Sequence, residues 1–338
     1  MIFVRGLEDL SLADRGTAGG KAASLGELLR AGLPTSPGFV VTATAFARAM
    51  AALGLLDIEK LPPAAVRARI TAAPMPGDVA AEIIARYDEL GSGSGSGSGV
   101  SVAVRSSATM EDSAEASFAG MCDSYIGVRG HGEVLDRVRA CWASLYNDEL
   151  VTYRHRIGRS EHGVAMGVVV QQMVSPRAAG VMFTRSPVTG DRSVVAIEGT
   201  WGLGSALVAG EVTPDGFTVS KVTGEITARR LGAKLRIHSF DANDVGIKVR
   251  DIPLGQRGEP CLTDDQVREL ARLARRVEDH YGTAQDIEWA LLDDGSVVLL
   301  QARPETVWAA RDDAPVAAPK ARPGDHVLAM FETTRRWN

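Results

Sequence analysis

Two apolar runs joined by Asp294-Gly295 dominate the last third of the chain, in AQDIEWALLDDGSVVLLQARPETV at 284–307. An Asp-Gly pair between runs rich in Ile, Trp, Leu and Val is a strong hairpin signal, because both residues tolerate the positive φ of a tight turn. Pairing Asp293 with Ser296 across that turn sets Glu288 opposite Gln301 and Asp286 opposite Arg303. Side chains alternate between the two faces of a strand, so these four polar groups share one face. The other face then carries Ile287, Trp289, Leu291, Val298, Leu300 and Ala302, all apolar. A one-residue slip would scatter both sets, so the pattern itself argues for this register.

Two carboxylates two residues apart, with an amide oxygen across the hairpin, form a hard, oxygen-rich pocket suited to Mg²⁺. Arg303 adds a planar fork of donors that suits phosphate. The competing reading is a solvated face on which Asp286 and Arg303 form an ordinary ion pair, since structural pairs also bring carboxylates and arginines together. The hairpin alone leaves both open.

At 338 residues the chain exceeds one small core and is expected to hold two lobes. Hydrophobic residues at 45% and charged residues at 23% place it in the globular class. A net charge of −5 argues against nonspecific nucleic-acid binding, while a local basic cleft remains compatible with it. The three cysteines, Cys122, Cys141 and Cys261, form no C-x-x-C pair and fit a reducing compartment without disulfides or a zinc site. The opening MIFVRGLEDL carries charges straight after a short apolar run, unlike a signal peptide. No run reaches the roughly 18 apolar residues of a membrane-spanning helix. A cytoplasmic protein without membrane or nucleic-acid partners is expected.

Along the chain, RGTAGGKAAS leads into the helical pattern LGELLRAGL, placing glycine N–H groups and Lys21 at a helix start, where phosphate is well held. It is not a Walker A loop, since Ala22 follows the lysine where Ser or Thr would bind Mg²⁺. A plain helix start is the simpler reading. PGFVVTA at 37–43 reads as a buried strand, and 43–54 and 64–90 read as helices interrupted by prolines. GSGSGSGSG at 91–99 is a flexible connector whose strict alternation resembles an engineered replacement of a loop. The strand at 100–104 delivers Arg105 at its end, and the small residues from Ser117 to Gly120 can approach a ligand through their backbone. For this stretch, a polar turn in which Arg105 pairs with Glu111 or Asp112 is the plainer alternative.

The amphipathic pattern at 133–158 predicts one long helix with Val134, Val138, Cys141, Trp142, Leu145 and Tyr153 in the core. VAMGVVVQQMV at 164–174 is a buried strand whose Gln171 and Gln172 need partners, either a nucleotide base or a neighbouring strand. VVAIEGTWGLGSALVAG at 194–210 runs strand, glycine-rich turn, helix, with Glu198 at the strand end and no G-x-G-x-x-G spacing. Further strands are expected within 216–232. Thr263 and Gln266 form a capping box that starts a helix running to about Tyr281. Beyond Trp308 comes a Pro/Ala-rich linker and a short tail.

The motifs GGKAASLGEL, PGFVVTATAF, VRSSATMEDSAEASFAG, VVVQQMV…AGVMFTRSPVTG, EGTWGLG…VTPD and QDIEWALL…LLQARPETV, in this order, resemble the N-terminal nucleotide-binding domain of phosphoenolpyruvate synthase, pyruvate phosphate dikinase and rifampicin phosphotransferase. The resemblance covers about 5–308. It implies an α+β ATP-grasp fold whose two lobes clasp ATP and Mg²⁺, with lobes at 1–190 and 191–308 and a tail at 309–338. It implies phosphate-binding, catalytic roles for Lys21, Arg105 and Arg303, and metal-side roles for Asp286, Glu288 and Gln301. It places Gln171, Gln172, Met173 and Val174 at the adenine, Ser117 to Gly120 over the phosphates, and Glu198 among the nucleotide-binding residues.

The family phosphorylates a histidine on a separate swivelling domain and passes the phosphoryl group to an acceptor. None of the six histidines here sits in that family's Gly-Gly…Ser/Thr-His-Ala context. The chain is therefore expected to act with a partner that carries the histidine. Its short ending after a Pro-rich linker suits a separate subunit, as in the phenylphosphate synthase type, with a phenolic or pyruvate-like small molecule as acceptor. A cut piece of a larger synthase and a non-catalytic ATP-sensing subunit are the alternatives.

Overall fold

The computed structural model describes residues 1–55, 61–92, 99–109, 123–157, 164–240, 247–306 and 308. Residues 1–304 form one compact unit and 305–338 a second; the tail expected at 309–338 lies outside the described residues. Of the 91–99 tract, Gly91 and Ser92 close the Gly77–Ser92 helix, and 93–98 lie outside the described residues.

The strands fall into three sheets. The first holds β1 (Val4–Gly6), β2 (Gly38–Val41), β3 (Val102–Ala108), β4 (Ser124–Val128) and β5 (Met166–Gln172) in the order β1-β2-β5-β3-β4. The largest holds β6 (Ala178–Phe183), β7 (Val194–Trp201), β8 (Asp215–Ser220) and β9 (Ile226–Arg230). A two-stranded ribbon follows, β10 (Arg236–Phe240) with β11 (Ile247–Asp251). Then β12 (Gln285–Leu291) and β13 (Val297–Pro304) complete the six-stranded sheet, in the order β13-β12-β6-β7-β8-β9. All pairings within these sheets are antiparallel. Sheet membership changes between Gln172 and Ala178, ahead of the 190/191 division expected from the sequence.

The two large sheets differ in how they bury their faces. In the first, Phe39, Val41, Val168 and Val170 pack into one core cluster, while Val40 and Val169 pack on the opposite side with Ala22 and Leu25 of the Gly20–Arg30 helix. Both faces are covered, which is why these strands read as unbroken apolar runs. The six-stranded sheet buries one face, where Met182, Ile197, Phe217, Ile287 and Trp289 pack against Val267, Leu270, Ala274 and Val277 of the Asp264–Tyr281 helix. Its other face carries the polar alternates.

That helix starts as its sequence dictates. Thr263 Oγ1 accepts from Gln266 N–H and Gln266 Oε1 accepts from Thr263 N–H, and Gly282 ends the helix at φ +68°. The long helix expected at 133–158 is instead two, His131–Ser144 and Asp148–Arg156, with Asn147 as the extended N-cap of the second. Within VTPD, Asp215 is fully buried and accepts from Lys234 Nζ at 2.5 Å and from the N–H groups of Gly232 and Cys261. Its carboxylate is consumed by holding three segments together. Burial beside that carboxylate pushes the Cys261 thiol well above its usual range. Cys141 and Cys261 are both free thiols; Cys122 lies outside the described residues.

The hairpin departs from its expected form at the turn and at one bulge. Leu292 N–H donates to Ser296 carbonyl and Leu291 pairs with Val297, so the turn is longer than a two-residue loop and the pairing is displaced by one. A bulge between Glu288 and Trp289, with Leu300 as the extra residue, restores the register, so Glu288 opposes Gln301 and Asp286 opposes Arg303 as expected. The bulge corrects the apolar face: Leu299 and Val297 are buried with Ile287, Trp289 and Ala302, while Val298 and Leu300 are only half-buried. Leu299→Ala should therefore cost about 2–5 kcal/mol of stability and Leu300→Ala much less. Urea melts of the two variants check this; equal losses would contradict the bulge.

Candidate active site

On the six-stranded sheet, directly opposed residues project from one face. The row through the centre of the hairpin is Gln301, Glu288, Val181, Glu198, Gly216 and Arg230, one residue from each strand in turn. The next row towards the start of β12 holds Arg303, Asp286, Phe183, Ala196, Thr218 and Ala228. Asp286 and Glu288, the metal-side carboxylates expected from the sequence, therefore stand on the face that the Asp264–Tyr281 helix leaves uncovered.

The first sheet reaches this face through Arg105 on β3. Its Nη2 donates to Glu288 Oε2 at 3.0 Å and to Gln301 Oε1 at 2.6 Å, and its Nη1 donates to the Leu300 carbonyl at 3.1 Å. The carbonyl is that of the bulge residue, so the irregularity in the hairpin presents an acceptor to the arginine. The Arg105 side chain is 14% exposed and that of Glu288 36%, a partly buried, charge-assisted contact across a sequence separation of 183. The plainer reading paired Arg105 with Glu111 or Asp112, which lie outside the described residues.

Lys21 lies beside it. The lysine is the second residue of the Gly20–Arg30 helix, and its Nζ donates to the carbonyl of Ser106, the residue after Arg105. Gly19 caps that helix at φ +83°, and a Cβ there would lie 1.9 Å from the Ser107 carbonyl, so both conformation and space demand glycine. Ser107 Oγ in turn accepts from Ala22 N–H, pinning the helix start to β3.

Arg303 and Asp286 form the ion pair that the simpler reading expected: Nε and Nη2 donate to Asp286 Oδ2 at 2.8 and 2.7 Å. Phosphate-binding and structural roles remain compatible with this pair, because the arginine side chain is 38% exposed on the open face. Two carboxylates and an amide oxygen on one face form a hard-cation donor set. In this structure the guanidinium groups of Arg105 and Arg303 already lie against these oxygens, so the spot favours positive charge. No cluster of three or more His, Cys, Asp or Glu suited to a metal occurs among the described residues.

The adenine-side residues separate. Gln171 pairs with Gly38 and Ala103, shares the face of Arg105, and is 2% exposed, with no partner for its Nε2 among the described residues. Gln172 points to the other face, and its N–H donates to the Pro37 carbonyl. Met173 N–H donates to the Ser101 carbonyl and Met173 Sδ accepts from Gly127 N–H. Met173 and Val174 belong to the connector between the two large sheets. Glu198 stands two strands from Glu288, roughly 10 Å away at the usual strand spacing, and pairs with Arg230 at 3.4 Å. Ser117 and Gly120 lie outside the described residues. Sequence reasoning missed Phe183 and Arg230 on the open face; alternation in AGVMF and ITARR carries their signal, but only the pairing register aligns them with Glu288.

Among the described residues no helix is long and apolar enough to cross a membrane. Residues 15–322 match the family described as pyruvate phosphate dikinase, AMP/ATP-binding domain. The chain is 42% identical over 319 residues to a probable phosphoenolpyruvate synthase of Methanothermobacter thermautotrophicus, covering 90% of this chain and 46% of that protein. It is 44% identical over 322 residues to a rifampicin phosphotransferase of a Streptomyces species, covering 89% and 35%. It is 38% identical over 346 residues to a phosphoenolpyruvate synthase of Aeropyrum pernix, covering 89% and 42%. The chain thus spans less than half the length of each of these relatives. It belongs to the pyruvate phosphate dikinase AMP/ATP-binding domain family, as an ATP-binding domain of the phosphoenolpyruvate synthase and dikinase kind.

Proposed function

We propose that the chain is the ATP-using part of a dikinase-type phosphotransferase with an ATP-grasp arrangement, one lobe on each large sheet and the 173–177 connector between them. It converts ATP to AMP and inorganic phosphate and hands the β-phosphoryl group to a histidine carried outside this chain. The observation that carries this reading is the Arg105 contact, which brings a first-sheet guanidinium onto Glu288 and Gln301 of the second. Arg105, Arg303 and Lys21 would clamp the polyphosphate, and Gln171 to Val174 would meet the adenine. Glu198 would serve the nucleotide from the same face. Mg²⁺, held by Asp286, Glu288 and Gln301, would neutralise charge on the phosphates.

The phosphoryl group then passes to a small molecule, a phenol such as phenol or cresol, or a pyruvate-like acid. The relatives' names favour the second, and the absence of the family's histidine context within this chain favours a partner-dependent route to either. Supplying the chain with a histidine-bearing partner and following ATP, ADP, AMP and phosphate by ³¹P NMR, with phenol, cresol and pyruvate as separate arms, decides the acceptor. ATP binding without AMP in any arm would identify a nucleotide-sensing module instead.

Alone, the chain is expected to bind ATP and phosphorylate no small molecule. Stoichiometric phosphorylation of an acceptor by the purified chain would refute the partner-dependent route.

A further inference from the structure

β13 is the edge strand of the six-stranded sheet, and its outer side would ordinarily present unpaired backbone groups. Here that edge is sealed from the first half of the chain. Leu299 N–H donates to the Pro34 carbonyl at 2.7 Å, Arg105 takes the Leu300 carbonyl, and Ser24 Oγ donates to the Ala302 carbonyl at 2.5 Å. Ala302 lies between Gln301 and Arg303, and Ser24 lies one helical turn beyond Lys21. A hydroxyl 5% exposed in a helix of Ala and Leu needs such a purpose.

Tyr281 completes the arrangement from the last turn of the Asp264–Tyr281 helix. Its hydroxyl donates to the Ser24 carbonyl at 3.1 Å and lies 3.2 Å from Ser24 Oγ. Burial pushes the phenol up to about 12, so it stays protonated and able to donate through neutral pH. His280 and Glu27 form a second contact between the same two helices, at 2.8 Å and further from Lys21.

We propose that Ser24 and Tyr281 are positioning residues that clamp the strand carrying Gln301 and Arg303 to the helix carrying Lys21, fixing the triphosphate end of the nucleotide site. The inference rests on the nucleotide reading above. The two residues touch no ligand; they set the spacing of groups that do, where a displacement of about 1 Å is costly.

The test uses the full chain with Ser24→Ala, Tyr281→Phe and, as a control, His280→Asn. Calorimetry with Mg·ATP and with AMP gives the first readout. Both clamp variants should bind Mg·ATP about tenfold more weakly and AMP within twofold of the parent, with the control unchanged for both. A structural role alone would lower the melting temperature and weaken both nucleotides together. That result, unchanged Mg·ATP binding, or an equal loss in the His280 variant overturns the clamp. If the parent chain binds neither nucleotide, the proposed function fails and hydrogen exchange decides the clamp separately. Amides of Gln301 to Arg303 should then exchange at least tenfold faster in the clamp variants, with Asp215–Ser220 unchanged. Equal exchange overturns it.

Discussion

Glu288→Gln is expected to lower Mg²⁺-dependent AMP formation by more than about a hundredfold while leaving the fold intact. Glutamine keeps the shape of the side chain and an oxygen that can accept from Arg105 Nη2, so the contact across the sheets survives in outline. What it removes is the negative charge, and with it one charged ligand of the proposed hard-cation site. Loss of residues that merely support metal ligands costs 10–100-fold in affinity or activity, so loss of a charged ligand should cost at least about that much. The melting temperature should fall little, because Glu288 is 36% exposed and ion pairs so open to water contribute little. Progress curves followed by ³¹P NMR across a Mg²⁺ titration, with the histidine-bearing partner present, provide the check. Steady AMP production at parental Mg²⁺ concentrations would remove Glu288 from the metal site.

The opposition of Glu288 to Gln301 and of Asp286 to Arg303 was legible because strand alternation and the Asp-Gly turn are local signals. Local signals did not reveal that the turn is longer and that a bulge at Leu300 cancels the shift. Two compensating errors leave the polar face unchanged and exchange Leu300 for Leu299 in the core. The break between the His131–Ser144 and Asp148–Arg156 helices escaped the apolar period because Leu145 and Tyr146 are buried and continue it across the gap. Gln171 and Gln172 look equivalent in sequence. Only the order of strands in the first sheet shows that Gln171 alone shares the face of Arg105. Ser24 carried no signal, since a serine in a helix of small residues reads as filler until β13 is placed against it.

Arg105→Lys and Arg303→Lys are expected to separate two uses of the same side chain. Arg105 spends both terminal nitrogens on three acceptors from two strands, and a single lysine ammonium on a flexible stem cannot span them. If that fork also meets the phosphates, as proposed, losing it should reduce turnover by roughly a hundredfold or more, the cost of removing one preorganised transition-state donor. The melting temperature should fall measurably, because the same bonds tie β3 to the hairpin and cover its edge. Arg303 differs: it pairs with Asp286, and its side chain is 38% exposed. Lysine there can keep an ion pair of small energetic worth, so the melting temperature should stay nearly constant. If Arg303 also holds the transferring phosphoryl group, turnover should nonetheless drop about as far as in Arg105→Lys, because in-line transfer spreads charge that a planar donor pair stabilises. If Arg303 serves only the ion pair, Arg303→Lys keeps parental turnover. Melting curves and single-turnover AMP release on the two variants, with partner and acceptor supplied, distinguish these outcomes, and full activity in both would end the dikinase-type reading.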